Sequence, residues 1–192
     1  QQGQQLLAAT LRLVDRSART EQIMKACVEM EVANTLDAST MFRRSNLSLR
    51  ILKLHLQKVG AKFLQDTLGP LISKFRQECE AKRARGQSME LDTQRLTSSD
   101  NLQQNVKDLA FFAGTFFDRI KQDAPRSLPR NLCCLLHQLR VLSEARFPNS
   151  GYKVVAGLLM VRFILAAIEA PHEHGLIDMP PDPWCGRALK LL

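Results

Sequence analysis

Apolar residues recur at steps of three and four along most of this chain, and that period admits helices and little else. Leu102, Val106, Leu109, Ala113, Phe116, Phe117 and Ile120 fall on one stripe of an α-helix. Ser98, Ser99 and Asp100 precede it and offer oxygens to the unpaired N–H groups of its first turn. Leu132, Leu135, Leu136, Leu139, Leu142 and Ala145 repeat the pattern until Phe147-Pro148 ends it. The same spacing predicts helices over residues 4–16, 20–35, 46–59 and 61–83, with Gly69-Pro70 kinking or splitting the last. Val154 to Ile168 reads as a further, buried helix. The polar stretch 81–100, containing Gly86, is expected to be a surface excursion between helices. No segment alternates with period two, and no repeat or heptad run is present. The expectation is an all-α fold of six or seven helices around one core, a single domain over residues 1–192.

Composition narrows the function classes. Hydrophobic residues make up 45% and charged residues 24% of 192 residues, which excludes a disordered or collagen-like chain. The five cysteines (Cys27, Cys79, Cys133, Cys134, Cys185) are odd in number and lack CxxC spacing, so a disulfide scaffold and a zinc ribbon are not expected and a reducing compartment is. The QQGQQ start has neither the basic nor the apolar region of a secretory signal. The Val154–Ile168 run is 15 residues long with Arg162 in its middle, against the roughly 20 apolar residues of a membrane span. No transmembrane segment is expected. Lys and Arg number 27 against 19 Asp and Glu, a formal charge of +8, which favours a partner with an acidic surface. One Trp and one Tyr leave little for base stacking, so nucleic acid is not the expected partner.

A self-contained active site is not evident. His172-Glu173-His174 stands at i and i+2, which share no helix face, and no third metal ligand accompanies it. No nucleophile elbow, Walker A or dinucleotide fingerprint is present. No metal or cofactor of its own is expected, and turnover within this chain is not.

The segment TMFRRSNLSLR, Thr40 to Arg50, is more informative. Met41 and Phe42 are followed by Arg43 and Arg44, then by Ser45 and Asn46, both good N-cap residues. That order places the arginines on a short loop just before a helix. Two solvated arginines at a helix start are one reading. The other is chemistry on a second molecule, since a guanidinium stays charged and stabilises negative charge on a transferring phosphoryl group.

Around this segment, EVANTLDASTMFRRSNLSLRILKLHLQKVGAKFLQDTLGPLI (Glu31 to Ile72) resembles the Ras GTPase-activating (RasGAP) domain, most of all its neurofibromin branch. The family pattern is a TLFRGNSLASK-like loop, then a helix ending in a VG-x-x-YL-x-x-L-x-P-like run. Phe42, Arg43, Leu47, Gly60, Phe63, Leu64, Leu68 and Pro70 match it. The resemblance continues through Met89–Asn105, Arg146-Phe147-Pro148, Val161–Pro171 and residues 175–192, so it covers nearly the whole chain.

What the resemblance implies is an all-helical domain that docks on a Ras-like small GTPase in its GTP state and stimulates hydrolysis. It implies that Arg43 is the arginine finger inserted into the partner's active site. Arg162 matches the arginine that steadies the finger loop by hydrogen bonding, and Lys190 and Arg187 match basic GTPase contacts. Phe42, Arg44, Ser45, Asn46, Leu47 and Pro171 complete the expected contact set. GTP and Mg²⁺ would belong to the GTPase. A monomer is expected in the cytoplasm, reaching the inner face of the plasma membrane through its partner.

Departures from the family pattern define the alternative. Arg44-Ser45-Asn46 replaces Gly-Asn-Ser, putting a bulky residue where a permissive glycine is usual. Leu165 and Ala166 stand where Asn and Pro are expected, predicting a regular helix from about Val154 to Ile168 with Leu165 packed on apolar neighbours. The chain ends at Leu192, short of the family's final helices. The alternative is a GTPase-binding scaffold of the same fold with weakened catalysis.

Overall fold

The computed structural model describes residues 19–44 and 46–192; the helix predicted over residues 4–16, and Ser45, lie outside the described residues. Among the described residues there are six helices and no strands, so the architecture is all-α. Helix α1 is Thr20–Asn34, α2 is Leu47–Ala84, α3 is Leu102–Ser127 and α4 is Arg130–Arg146. Helix α5 runs from Gly151 to Glu169, and α6 is Pro183–Leu191.

Several boundaries differ from expectation, each for a physical reason. The two helices predicted over 46–59 and 61–83 are one helix of 38 residues with Pro70 inside it. A proline removes one backbone bond, and Leu68 and Ile72, both fully buried, hold the helix on either side of it. Gly60 marks a close approach rather than a break: a Cβ there would stand 2.2 Å from Cζ of Phe163. Helix α3 is capped by Asn101, whose Oδ1 accepts the Gln104 N–H at 3.0 Å, not by the three residues before it. Asp100 turns back instead and accepts the Ser88 hydroxyl at 2.8 Å.

The buried face of α3 is Asn105, Leu109, Phe112, Phe116 and Ile120, while Val106 and Phe117 of the predicted stripe are half exposed. Asn105 tolerates burial because its amide donates to the Glu90 carbonyl at 2.9 Å and accepts from Lys82 at 3.0 Å. Helix α5 is not regular. It is α-helical over Gly151–Ala156, π-helical over Gly157–Ile164 and α-helical again over Leu165–Glu169. Without proline every residue keeps its N–H, but in the π run the bonds reach back five residues instead of four. By length and a mean hydropathy of 1.8 this helix would suit a membrane span. Val154, Leu158, Phe163, Ile164, Ala167 and Ile168 are buried along it, and Arg162, in the middle of the run, is half-buried.

The described residues group into two compact units. The first holds residues 19–60 and 129–165, in which α1 packs on α4 and α4 on the start of α5. The second holds residues 61–128 and 166–192, where Phe75 meets Phe112 edge to face at 4.9 Å. Two of the three boundaries fall inside helices, at Gly60-Ala61 of α2 and Leu165-Ala166 of α5, and the third falls at Leu128-Pro129 between α3 and α4.

Candidate functional site

The loop between α1 and α2 begins with a 3-10 turn, Ala38–Thr40, capped by Asp37. The Asp37 carboxylate accepts the Ser39 N–H at 2.7 Å, and this bond, with Ser39's side chain and finally the charge of Arg43, keeps its pKa below the usual range. The Arg43 N–H donates to the Thr40 carbonyl at 3.1 Å, closing the next turn. Met41 and Phe42 are buried and Arg43 and Arg44 exposed. The apolar pair anchors the loop and the arginines project from it, as the residue order predicted.

Phe42 has φ +61°, a left-handed conformation that costs a bulky residue about 1–3 kcal/mol and persists only where its surroundings enforce it. Its ring is 1% exposed, and its N–H donates to Oε1 of Glu31 at 3.0 Å. Arg44 is not in that region, so the loop does not ask of it the backbone freedom of the glycine it replaces. Asn46 caps α2: its Oδ1 accepts the Leu49 N–H at 2.7 Å while its Nδ2 donates to Oε2 of Glu31 at 2.5 Å. Leu47, the first residue of α2, is 64% exposed.

A cavity of about 550 Å³ opens beside the loop, lined by Asp37, Ser39, Met41, Phe42 and Arg43 from one side and by Lys153, Gly157 and Arg162 of α5 from the other. Arg43 and Arg162 thus share one concave site. Arg162 is half-buried, and no hydrogen bond joins its guanidinium to the described loop residues, in contrast to the steadying bond expected. Lys53 stands near it; burial, and then the charge of Arg162, push the Lys53 ammonium pKa down. Leu165, expected to be packed, is 45% exposed and stands where α-helical winding resumes.

The remaining expected contacts belong to the second unit. Pro171 is buried, and its carbonyl accepts the Leu176 N–H at 2.9 Å. Arg187 grips Glu90 in a bidentate pair, Nε to Oε2 at 3.0 Å and Nη2 to Oε1 at 3.1 Å, so its guanidinium is engaged within the chain. That pair, with the Asp92 and Leu91 N–H groups, brings the Glu90 pKa down to about 2. Lys190 is exposed on α6.

Two contributors escaped the reading of the sequence. Glu31 sits among Met24, Cys27, Val28 and Val32 on the buried face of α1; a charge on an apolar stripe at helical spacing was the available signal. Arg146 donates from Nη2 to the Thr35 carbonyl at 3.2 Å and lies over the Phe147 ring at 5.4 Å. It thereby ties the end of α4 to the residue that closes α1.

Residues 23–192 match the RasGAP family, described as GTPase-activator protein for Ras-like GTPase. The chain is 29% identical over 170 residues to human Ras GTPase-activating protein 2, covering 87% of this chain and 19% of that protein. It is 27% identical over 185 residues to bovine Ras GTPase-activating protein 3, covering 95% and 21%. A GTPase-activating protein of Drosophila melanogaster is 26% identical over 185 residues, covering 95% and 15%. The chain therefore spans about a fifth or less of the length of these relatives.

Proposed function

Because the chain belongs to the RasGAP family, we propose that it docks on a Ras-like small GTPase in its GTP state and stimulates hydrolysis by supplying Arg43 in trans. The observation that carries this reading is the exposed Arg43 on a loop anchored by buried Phe42, facing the same cavity as Arg162. A loop so anchored sets the Arg43 backbone in place before the partner arrives. The guanidinium would meet the charge that develops on the transferring phosphoryl group, where preorganised positive charge lowers the barrier most. The magnitude of about 10³–10⁵ in rate is that of the Ras–GAP pair itself, carried over to Arg43.

In this proposal residues 1–192 act as one RasGAP-like domain of the neurofibromin type. Arg44, Ser45, Asn46 and Leu47 border the finger at the GTPase surface, and Lys190 and Pro171 add contacts. Arg187 contributes through its hold on Glu90. The domain brings no cofactor, because the nucleotide and Mg²⁺ belong to the GTPase, and it acts as a cytoplasmic monomer at the membrane where its partner resides.

A second reading, a scaffold that binds the GTPase with little stimulation, is favoured by exposed Leu165 and by Arg162 making no bond to the described loop. Single-turnover GTP hydrolysis against a panel of Ras-like GTPases, with binding measured in parallel, tests both. Acceleration of any member supports the activator. Binding without acceleration supports the scaffold, and absence of both overturns both.

A further inference from the structure

A buried carboxylate on an otherwise apolar helix face is expensive unless its oxygens are hydrogen bonded. Glu31 is 4% exposed and places one oxygen on each side of the arginine pair. Oε1 accepts the Phe42 N–H at 3.0 Å and Oε2 accepts from Asn46 Nδ2 at 2.5 Å. Residues 42 and 46 bracket Arg43, so a single side chain of α1 pins both ends of the segment that carries it.

The two bonds do different work. The first holds the backbone of Phe42 at φ +61°, a conformation the chain would otherwise leave, and Arg43 is the next residue. The second orients Asn46, whose other amide atom caps α2 through the Leu49 N–H, so the start of that helix is referenced to the same carboxylate. The backbone of Glu31 is engaged as well, its carbonyl accepting the Thr35 hydroxyl at 2.7 Å. Arg162, by contrast, makes no hydrogen bond to the described loop. A group that acts in the transition state must be positioned before the reaction, and a misplacement of about 1 Å costs on the order of 10²-fold.

We propose that Glu31 is the positioning residue of this site, acting through the Phe42 N–H and Asn46 to hold Arg43 in its working geometry; this rests on the finger reading of Arg43. Glu31 is buried behind the loop and acts through it, not as a catalytic residue. Glu31→Gln keeps the volume but offers one acceptor and one donor to two donors, so one end of the loop is released.

The test compares the parent chain, Glu31→Gln, Arg43→Ala and the double variant on a GTP-loaded Ras-like GTPase that the parent stimulates. Single-turnover rate at saturation and Kd are read separately. Glu31→Gln should lower the saturating rate about tenfold or more with Kd within about threefold, and the double variant should be no slower than Arg43→Ala. A merely structural role would move the Tm and leave that rate alone. A fall below about fivefold, with Arg43→Ala still losing about 10³, overturns the positioning role and leaves the finger in place. An unchanged rate in Arg43→Ala overturns the finger and this proposal with it. If Glu31→Gln does not fold, Asn46→Asp replaces it, keeping the Leu49 cap while setting a carboxylate against Glu31. The same loss supports the proposal and an unchanged rate overturns it.

Discussion

Gly60 of α2 lies against the ring of Phe163 so closely that a Cβ would stand 2.2 Å from Cζ and about 3 Å from the neighbouring ring atoms. Phe163 is 1% exposed and follows Arg162; the glycine thus admits the ring of the residue next to the second arginine of the cavity. Helix propensity alone would favour alanine over glycine by about 1 kcal/mol. Overpacking a full core costs about 1–3 kcal/mol. Gly60→Ala should therefore lower the Tm, at about 2–4 °C per kcal/mol for a chain of this size. A thermal melt by circular dichroism decides the sign, and a raised Tm would show that the ring moves aside.

Arg43 and Arg44 are both exposed and adjacent, yet only Arg43 lines the cavity. Arg43→Ala should cut single-turnover stimulation by about 10³ or more with little change in Kd, since the guanidinium acts in the transition state. Arg43→Lys keeps the charge without the planar fork and should recover only a small part. Arg44→Ala should stay within a few-fold of the parent. A large loss at Arg44 with none at Arg43 would move the finger by one residue.

Leu165 is the exposed residue at which α-helical winding resumes in α5. Leu165→Asn removes no packed side chain, so stability should change by no more than about 0.5 kcal/mol. If the polar group usual there supports the finger loop, one hydrogen bond of about 0.5–1.5 kcal/mol predicts a rate gain of about two- to tenfold at unchanged Kd. No gain in a folded, binding protein would mean the leucine is tolerated.

Glu90 has a folded pKa of about 2, lowered first by its bond from Arg187 and then by backbone N–H groups. A depressed carboxylate contributes stability that is present above its ordinary value near 4.5 and is lost as the pH falls from there toward 2. The stability difference between the parent and Arg187→Ala should accordingly be constant from neutral pH to about 5 and shrink below about 4.5. Urea melts of both proteins across that range measure it, and a difference independent of pH would show that the pair does not set this titration.

Much of the fold was legible because helix formation is local. The step of three and four placed α1, α4 and α5 within a few residues of their observed bounds and the start of α3, which runs on past Ile120 to Ser127, and Phe42-Arg43-Arg44 before an N-cap residue announced a buried anchor and projecting arginines. The misreadings came where a neighbour distant in sequence decided the outcome. Gly60 looks like a break until Phe163 is seen against it. Asp100 looks like a cap until Ser88 claims it. Val106 looks buried until Lys82 and Glu90 draw Asn105 inward and turn the face of α3.

By itself the sequence determined that this chain would be helical, where the arginine loop would fall, and which family it resembles. Those properties rest on residue type and spacing within a turn or two of helix, and on motif order along the chain. The tertiary structure decided what each polar group does. Glu31 reaches residues 11 and 15 positions away, Arg146 a carbonyl 111 positions back, and Arg187 a carboxylate 97 positions back. A carboxylate or guanidinium has the same chemistry wherever it stands, and only the packing of helices brings a particular donor within hydrogen-bond distance of it.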